Sequence, residues 1–410
     1  MGKSMCFVMP TLLTKMRTLV IEPIPPLLFD EKHGVEKKGL KVAVIDNTYT
    51  DPKGANRDVN VADMIKKADM IYVTPDACFD DNGKNSRVMD AVIALNQTEK
   101  LVLVALDEAH LAWHEAKPQF KALRNLKNLF PNVALMTATG TATKPTREKL
   151  LKELLRADRS KELWASVDAP NIRARCYHVE VKKGSAKKSK EGEEADAPHE
   201  TKTTPGDWKK LVELIAKEVK NEPAVFFYDN QQAIDVIAEA FKKYASDIIT
   251  LTYTGDYDAK TQAEILEKWK KNEATLVIAT SAFGHGVSRV DVRHVYHLGV
   301  PQSLEEWVQE AGRAGRDGKP ATATLLWHDQ TPEEMAFEGL DEEDKKEAIS
   351  RLKAMQLYCK SEECRRRVLF EYFGEEVAKK SCDNCDLCLK LPVLERIVIE
   401  PHTIDASLDL

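Results

Sequence analysis

Five short apolar runs constrain this chain more than any other feature: TLVI (18–21), KVAVI (41–45), MIYV (70–73), LVLVAL (101–106) and VALM (133–136). Rich in Val, Ile and Leu, they do not alternate with polar residues. As strands they are buried on both faces, the mark of a parallel sheet covered by helices. A second series follows: AVFF (224–227), IITLT (248–252), TLVIA (275–279), HVYHL (294–298) and TATLL (322–326). Amphipathic helical patterns lie between the runs; in WKKLVELIAKEV, Trp208, Leu211, Val212, Ile215 and Val219 fall on one face. The expectation is an α/β fold with two parallel sheets in tandem. A chain of 410 residues is too long for one compact core and suits two or three domains.

Composition narrows the class. With 43% hydrophobic and 31% charged residues the chain reads as globular. No apolar run approaches the roughly 18 residues of a membrane helix, and the N-terminus lacks the pattern of a secretory leader. The expectation is an intracellular protein with no membrane span. A net charge of −6 excludes an overall basic nucleic-acid coat but leaves room for a local basic channel. The stretch KKGSAKKSKEGEEADAPHETKTTPGD (182–207) is charged, aperiodic and poor in apolar residues, so it is read as a disordered insertion near the inter-domain boundary.

Four groups of residues carry chemistry. Gly2-Lys3-Ser4 match the last three letters of a phosphate-binding loop, a match too short to decide anything by itself. LVLVAL runs directly into Asp107-Glu108-Ala109-His110. Adjacent acids at the carboxyl end of a buried strand are costly unless a cation or water needs them. In phosphoryl-transfer ATPases the first acid holds Mg²⁺ and the second orients or deprotonates the attacking water. The second sheet supplies QEAGRAGRDG (309–318), where Gly312 and Gly315 are expected to let the backbone approach a ligand. Arg313 and Arg316, three apart, are expected to share a helix face towards polyphosphate. An arginine finger in one domain implies phosphates bound by the other, which gives the opening GKS its meaning.

The fourth group is cysteine. Cys359, Cys364, Cys382, Cys385 and Cys388 crowd the last fifth of the chain, which favours a metal over disulfides. The last four, spaced C-x17-C-x2-C-x2-C, match tetrahedral Zn²⁺ ligation, with Cys359 a nearby non-ligand. Arg365-Arg366-Arg367 beside them either touch phosphates or form a solvated helix face.

Together these residues resemble the RecQ helicases of superfamily 2. GKSMCFVMP is similar to motif I, LVIEPIPPLL to Ia, MIYVTPD to Ib, LDEAH to II and MTATGTAT to III. VFFYDNQQAIDVIAEAF is similar to motif IV, VIATSAFGHGV to V and QEAGRAGRDG to VI. The Y-C-x4-C-R-R…Y-F-G-E…C-x2-C-D-x-C signature separates this family from DEAH-type RNA helicases.

The resemblance implies an ATP-driven motor walking 3′ to 5′ on single-stranded DNA and unwinding duplexes, in recombination and repair. Its partners would be single-stranded and partly duplex DNA, and its cofactors ATP, Mg²⁺ and Zn²⁺. It also implies two RecA-like domains: 1–170, incomplete at its N-terminus, and 208–330, joined by a linker at 171–207. A small helical zinc-binding subdomain at 331–392 and a tail at 393–410 follow. The nucleotide would contact Gly2, Lys3, Ser4, Asp107, His110, Gly286 and Gln309. Glu108 would act on the water, and Arg313 and Arg316 would reach from the second domain, Arg316 as the finger. Thr74, Trp113, Phe120 and Thr280 would face nucleic acid, although packing is an equal alternative for the two aromatics. Thr137-Ala138-Thr139 would link the two sites, or cap a helix start. The location would be the nucleus in a eukaryote and the cytoplasm otherwise.

The sequence departs from the family pattern in several places. It begins inside motif I, the loop LAWHEAKPQF is short, and the family's Gly-Ile-Asp in motif V reads Gly286-Val287-Ser288. The linker is enlarged, and KLPVLERIVIEPHTIDASLDL leaves no winged-helix domain within the 410 residues. An ATPase-deficient nucleic-acid-binding derivative, or an RNA helicase, are the competing readings. By this reading the 410 residues alone bind ATP weakly.

Overall fold

The computed structural model describes residues 3–23, 25–50, 55–56, 58–99, 101–114, 117–156, 158–181, 208–284, 289–328, 342–376, 380–392 and 398–399. Gly2, Gly286, the insertion at 182–207 and all of the tail but Val398 and Ile399 lie outside these residues. The chain divides into two compact units, Met1–Ser166 with Phe337–Ile349 and Val167–Ala336 with Ser350–Leu410. Among the described residues no helix is long and apolar enough to cross a membrane.

The first unit is built on strands β1 (Arg17–Ile21), β2 (Val42–Ile45), β3 (Met70–Val73), β4 (Leu101–Leu106) and β5 (Ala134–Thr137), ordered β2-β3-β1-β4-β5 and parallel throughout. Leu19 and Ile21 enter one core, with Ile71, Val104 and Leu106, while Val20 enters another, with Tyr72 and Ala105. Both faces are therefore dry, which is why these runs show no polar alternation. The opening helix, Lys3–Thr14, packs on the second of these cores through Phe7 and Val8. Burying each of those side chains stabilises the helix by roughly 1.5–3 kcal/mol, so Phe7 to Ala would loosen it.

The second unit adds β6 (Ile172–His178), β7 (Glu180–Val181), β8 (Ala224–Phe227), β9 (Thr250–Tyr253), β10 (Leu276–Ala279), β11 (His294–Leu298), β12 (Ala321–Trp327) and β13 (Val398–Ile399). Six of these form a second parallel sheet, ordered β6-β12-β11-β8-β10-β9, and β13 pairs with β7. The same two-sided burial recurs: Ala224 and Phe226 face one core, Val225 and Phe227 the other. Leu211, Val212, Ile215 and Val219 of the helix Lys209–Val219, with Trp208 before it, are buried as their spacing requires.

Strand β6 corrects the reading of 171–207 as linker. It pairs with β12 along its whole length, Ile172 opposite Ala321 through His178 opposite Trp327. As an edge strand it alternates Ile172, Ala174 and Cys176 with Arg173 and Arg175, a two-residue period that differs from the all-apolar runs of the sheet interior. Cys176 packs in one core with Ala323 and Leu325 of β12, Trp307, and Met355, Tyr358 and Cys359 of the helix Glu342–Lys360.

Candidate functional site

In the first unit the sheet's carboxyl edge gathers the acids. Asp107 follows β4 directly, and its N–H donates to the Ile21 carbonyl at 3.0 Å. The Ala109 N–H reaches the Ala138 carbonyl at 2.9 Å, tying this turn to the segment after β5. Glu108 takes φ 39°, in the left-handed region, where a non-glycine residue costs of order 1–3 kcal/mol and persists only if its surroundings hold it. Here its own N–H donates to Asp107 Oδ1 at 2.9 Å.

Lys3 closes the cluster. Its Nζ lies 3.0 Å from Asp107 Oδ1 and 2.7 Å from Glu108 Oε1, at the N-terminus of the opening helix. Burial opposes the charge on Lys3, but Glu108 and Asp107 outweigh it and hold its pKa above the usual lysine value. Burial pushes the Asp107 carboxyl up, against the pull of Lys3. Glu108 is equally enclosed, yet Lys3 and His110 overcome that burial and hold it below the ordinary glutamate value. Its Oε2 also accepts from the Gly140 N–H at 3.4 Å. His110 Nδ1 is 2.7 Å from Thr139 Oγ1, so the acidic turn is wired to the Thr-rich segment. Further along the same segment Thr143 caps the helix Lys144–Lys149, accepting from the Thr146 N–H. Ser4 is an exposed first-turn residue.

The residues expected to face nucleic acid are placed differently. Trp113 and Phe120 are each only 6% exposed and belong to the first core, so packing is the alternative the structure shows, and neither ring offers a free stacking face. Trp113 Nε1 donates to Glu153, and the Arg124 guanidinium lies over its ring. Trp113 lies on the short helix Leu111–His114 and Phe120 on Pro118–Ala122, both packed into that core. Thr74 is buried and caps the helix Pro75–Cys78, its oxygen accepting from the Ala77 N–H. Thr280 is half-buried, its N–H bonded to the Tyr253 carbonyl.

In the second unit the helix Leu304–Ala311 ends before the arginines, so Arg313 and Arg316 do not share a helix face. Gly315 breaks the helical path with φ 58°. A Cβ there would stand 2.4 Å from Asn171 Nδ2, which ties the Gly315 and Lys319 carbonyls together. The glycine thus permits close approach of the protein to itself, not of a ligand. Arg313 turns inwards, 8% exposed, whereas Arg316 is exposed and donates to the Gly312 carbonyl at 3.3 Å. Gln309 is half-buried on the preceding turn.

Sequence reading missed two partners of this segment, His297 and Glu310, joined at 2.7 Å with both side chains buried. The signal was thin: a histidine at the end of an apolar strand and a glutamate three residues before an arginine.

The cysteines meet as their spacing required. The Sγ atoms of Cys364, Cys382, Cys385 and Cys388 all lie within 4.8 Å of one another, and Cys359 is not among them. Tetrahedral zinc with Zn–S near 2.3 Å sets sulfurs roughly 3.8 Å apart, and the Cys382 to Cys388 separation of 3.9 Å fits. Arg365 is a buried post, not a phosphate contact. Its guanidinium pairs with Asp386 at 3.1 Å and donates to the Tyr358 carbonyl. Asp386 in turn accepts from the Cys176 N–H of β6 at 3.0 Å, so the metal-ligand loop is stitched to the second sheet. Arg366 pairs with Asp168, and Arg367 lies on the surface with Glu371 and Glu363.

These two RecA-like sheets, with a basic residue and paired acids on the first, an arginine turn on the second and a Cys₄ group after it, define a helicase core. Three families match in order: DEAD/DEAH box helicase at residues 1–148, helicase conserved C-terminal domain at 206–318, and RecQ zinc-binding at 329–389. The chain belongs to the RecQ family of superfamily 2 helicases. It is 28% identical over 402 residues to ATP-dependent DNA helicase Q-like 2 of Arabidopsis thaliana, covering 94% of this chain and 51% of that protein. It is 27% identical to ATP-dependent DNA helicase RecQ of Haemophilus influenzae, covering 95% and 58%. The chain thus spans about half the length of the curated relatives it matches. Among solved structures, S. cerevisiae Dbp5 bound to RNA and ADP BeF3 shares the fold, with a TM-score of 0.57 at 14% identity over 92% of this chain and 81% of that one. Mycobacterium smegmatis helicase Lhr bound to ssDNA and AMP-PNP gives 0.56 at 16%, over 79% and 42%.

Proposed function

We propose that this chain is the motor portion of an ATP-dependent DNA helicase that moves 3′ to 5′ on single-stranded DNA and opens duplexes in recombination and repair, in the nucleus if its source is eukaryotic. The observation that carries the reading is the cluster of Lys3, Asp107 and Glu108, one cation and two acids at a helix N-terminus and a strand's carboxyl end. Lys3 and Ser4 bind the nucleotide's phosphates and Asp107 holds Mg²⁺, which when bound neutralises charge on the phosphoryl group being transferred. Glu108, kept ionised by Lys3 and His110, is placed to take a proton from the attacking water. Thr139, bonded to His110, relays the state of this turn to the segment after β5. From the second unit Gln309, Arg313 and Arg316 bind the phosphates. The four clustered thiols hold Zn²⁺, which serves as a fold staple because binding energy there is folding energy.

The test uses the full-length protein and two partial duplexes, one with a 3′ and one with a 5′ single-stranded tail. Unwinding of the 3′-tailed substrate alone, requiring ATP, is expected. Preference for the 5′ tail, or for RNA over DNA, would overturn the assignment. Metal analysis of the reduced protein should return about one zinc per chain, and no zinc would remove the staple.

A further inference from the structure

We propose that Glu310, with His297, is the positioning residue of the arginine turn: it joins β11, the 281–284 turn and the end of the helix Leu304–Ala311 into one rigid element that presents Arg313. The inference rests on the ATPase reading above and goes beyond it, because neither residue touches the nucleotide in that reading.

Glu310 makes three connections from one side chain and one carbonyl. Its Oε2 is 2.7 Å from His297 Nε2 at the carboxyl end of β11. Its carboxyl lies against Gly284, where an added Cβ would stand 3.0 Å from Oε1 and 3.1 Å from Cγ, so the 281–284 turn closes directly on it. Its backbone carbonyl accepts from the Arg313 N–H at 3.0 Å. The partner ring cannot swing away. His297 is stacked on Phe227, centroids 4.9 Å apart at 26°, and meets Trp307 edge-on at 4.9 Å. The 281–284 turn is held from its other end by Asp229, whose Oδ1 accepts from the Ser281 N–H at 2.8 Å.

A 2.7 Å contact suits either an ion pair or a neutral hydrogen bond, and burial decides between them. Glu310 is pushed well above the ordinary glutamate value by burial and by Asp229, and burial takes His297 down to about 3. Both shifts favour the uncharged forms, so the contact is a hydrogen bond between a carboxylic acid and an imidazole, its donor set by the tautomer of His297. A neutral pair anchors the turn without a buried charge that competes with phosphates for Arg313.

The test compares Glu310→Ala, Glu310→Gln, Arg313→Ala and the double Ala variant in the full-length protein. Two readouts are used, ATP turnover with single-stranded DNA and amide hydrogen exchange. Glu310→Ala should lower kcat about tenfold with KM for ATP changed less than about twofold, since an arginine acting late in the reaction is misplaced. The same change should cost nothing further once Arg313 is Ala. Glu310→Gln, whose amide can still hydrogen-bond Nε2 in either tautomer, should keep most activity. Exchange in 281–284 and 309–316 should quicken in Glu310→Ala and not in Glu310→Gln. Unchanged exchange in Glu310→Ala, or losses that add to those of Arg313→Ala, would overturn the proposal. A parent that hydrolyses no ATP but shows the exchange response would defeat the ATPase reading and leave the positioning role standing.

Discussion

The acidic turn of the first unit and the histidine-glutamate pair of the second bury carboxyl groups at the carboxyl edge of a parallel sheet, with opposite results. Glu108 is held below its ordinary pKa because a lysine ammonium lies 2.7 Å away and a histidine stands behind it. Glu310 is pushed up by its burial and by Asp229, which repels its ionised form, against the weaker pull of Arg313. Burial is common to both. What differs is whether a full positive charge touches the oxygen, as Lys3 touches Glu108, or a histidine ring does, as at Glu310, and that decides which carboxyl can serve as a base and which can only hold a shape.

A third buried acid offers the largest expected effect. Asp386 faces Arg365, with side chains 7% and 4% exposed. Arg365→Met removes the cation and strands the carboxylate, and should cost about 3–5 kcal/mol in urea unfolding of the second unit. A cost below about 1 kcal/mol would mean that a facing charge matters less than the comparison claims.

Next in size is Glu108→Gln. Shape and Asp107 are kept while the base is lost, so ATP turnover should fall by roughly 10²-fold, about 2.7 kcal/mol of barrier, with DNA affinity little changed. Turnover equal to the parent's would remove Glu108 from the chemistry.

A smaller effect separates the two acids by pH. The native state keeps the Glu310 proton that the unfolded chain gives up above about pH 4.3, so the native state binds more protons and stability falls as pH rises past that value. Glu310→Gln cannot ionise. Its stability relative to the parent should therefore climb as the pH rises past about 4.3 into the neutral range, read from paired denaturant curves. A pH-independent difference would show that Glu310 is charged in the fold. The smallest effect belongs to Arg367→Ala, whose partners Glu371 and Glu363 are exposed; about 0–1 kcal/mol is expected, and a larger loss would break the distinction between facing and surface charge.

Much of this was legible in the sequence where one signal sufficed. Central strands buried on both faces announce themselves as largely apolar runs, and each of the ten runs overlaps a strand, although the edge strands β5 and β9 are only partly buried. The cysteine spacing carried its own geometry, and the four sulfurs meet. What escaped needs contacts between distant residues. Strand β6 is an edge, so its alternating Arg and Ala residues read as linker until β12 lies beside them. The arginine turn looked helical because the spacing of its arginines gives no sign that the helix stops at Gly312 and that Gly315 then packs against Asn171, far away in sequence. Trp113 and Phe120 read as aromatics in a loop, and only the fold shows them on short helices with their faces taken by the core.

The central claim is that the cluster around Lys3 and Glu108 serves ATP hydrolysis governed by DNA. It is tested most directly by steady-state ATP turnover of the full-length protein with and without single-stranded DNA, alongside Lys3→Ala. The account predicts hydrolysis that rises about tenfold or more with DNA, rises less with RNA, and disappears when Lys3 is replaced. Tight DNA binding with no turnover, unaffected by Lys3→Ala, would contradict it and leave a nucleic-acid-binding protein on a helicase fold.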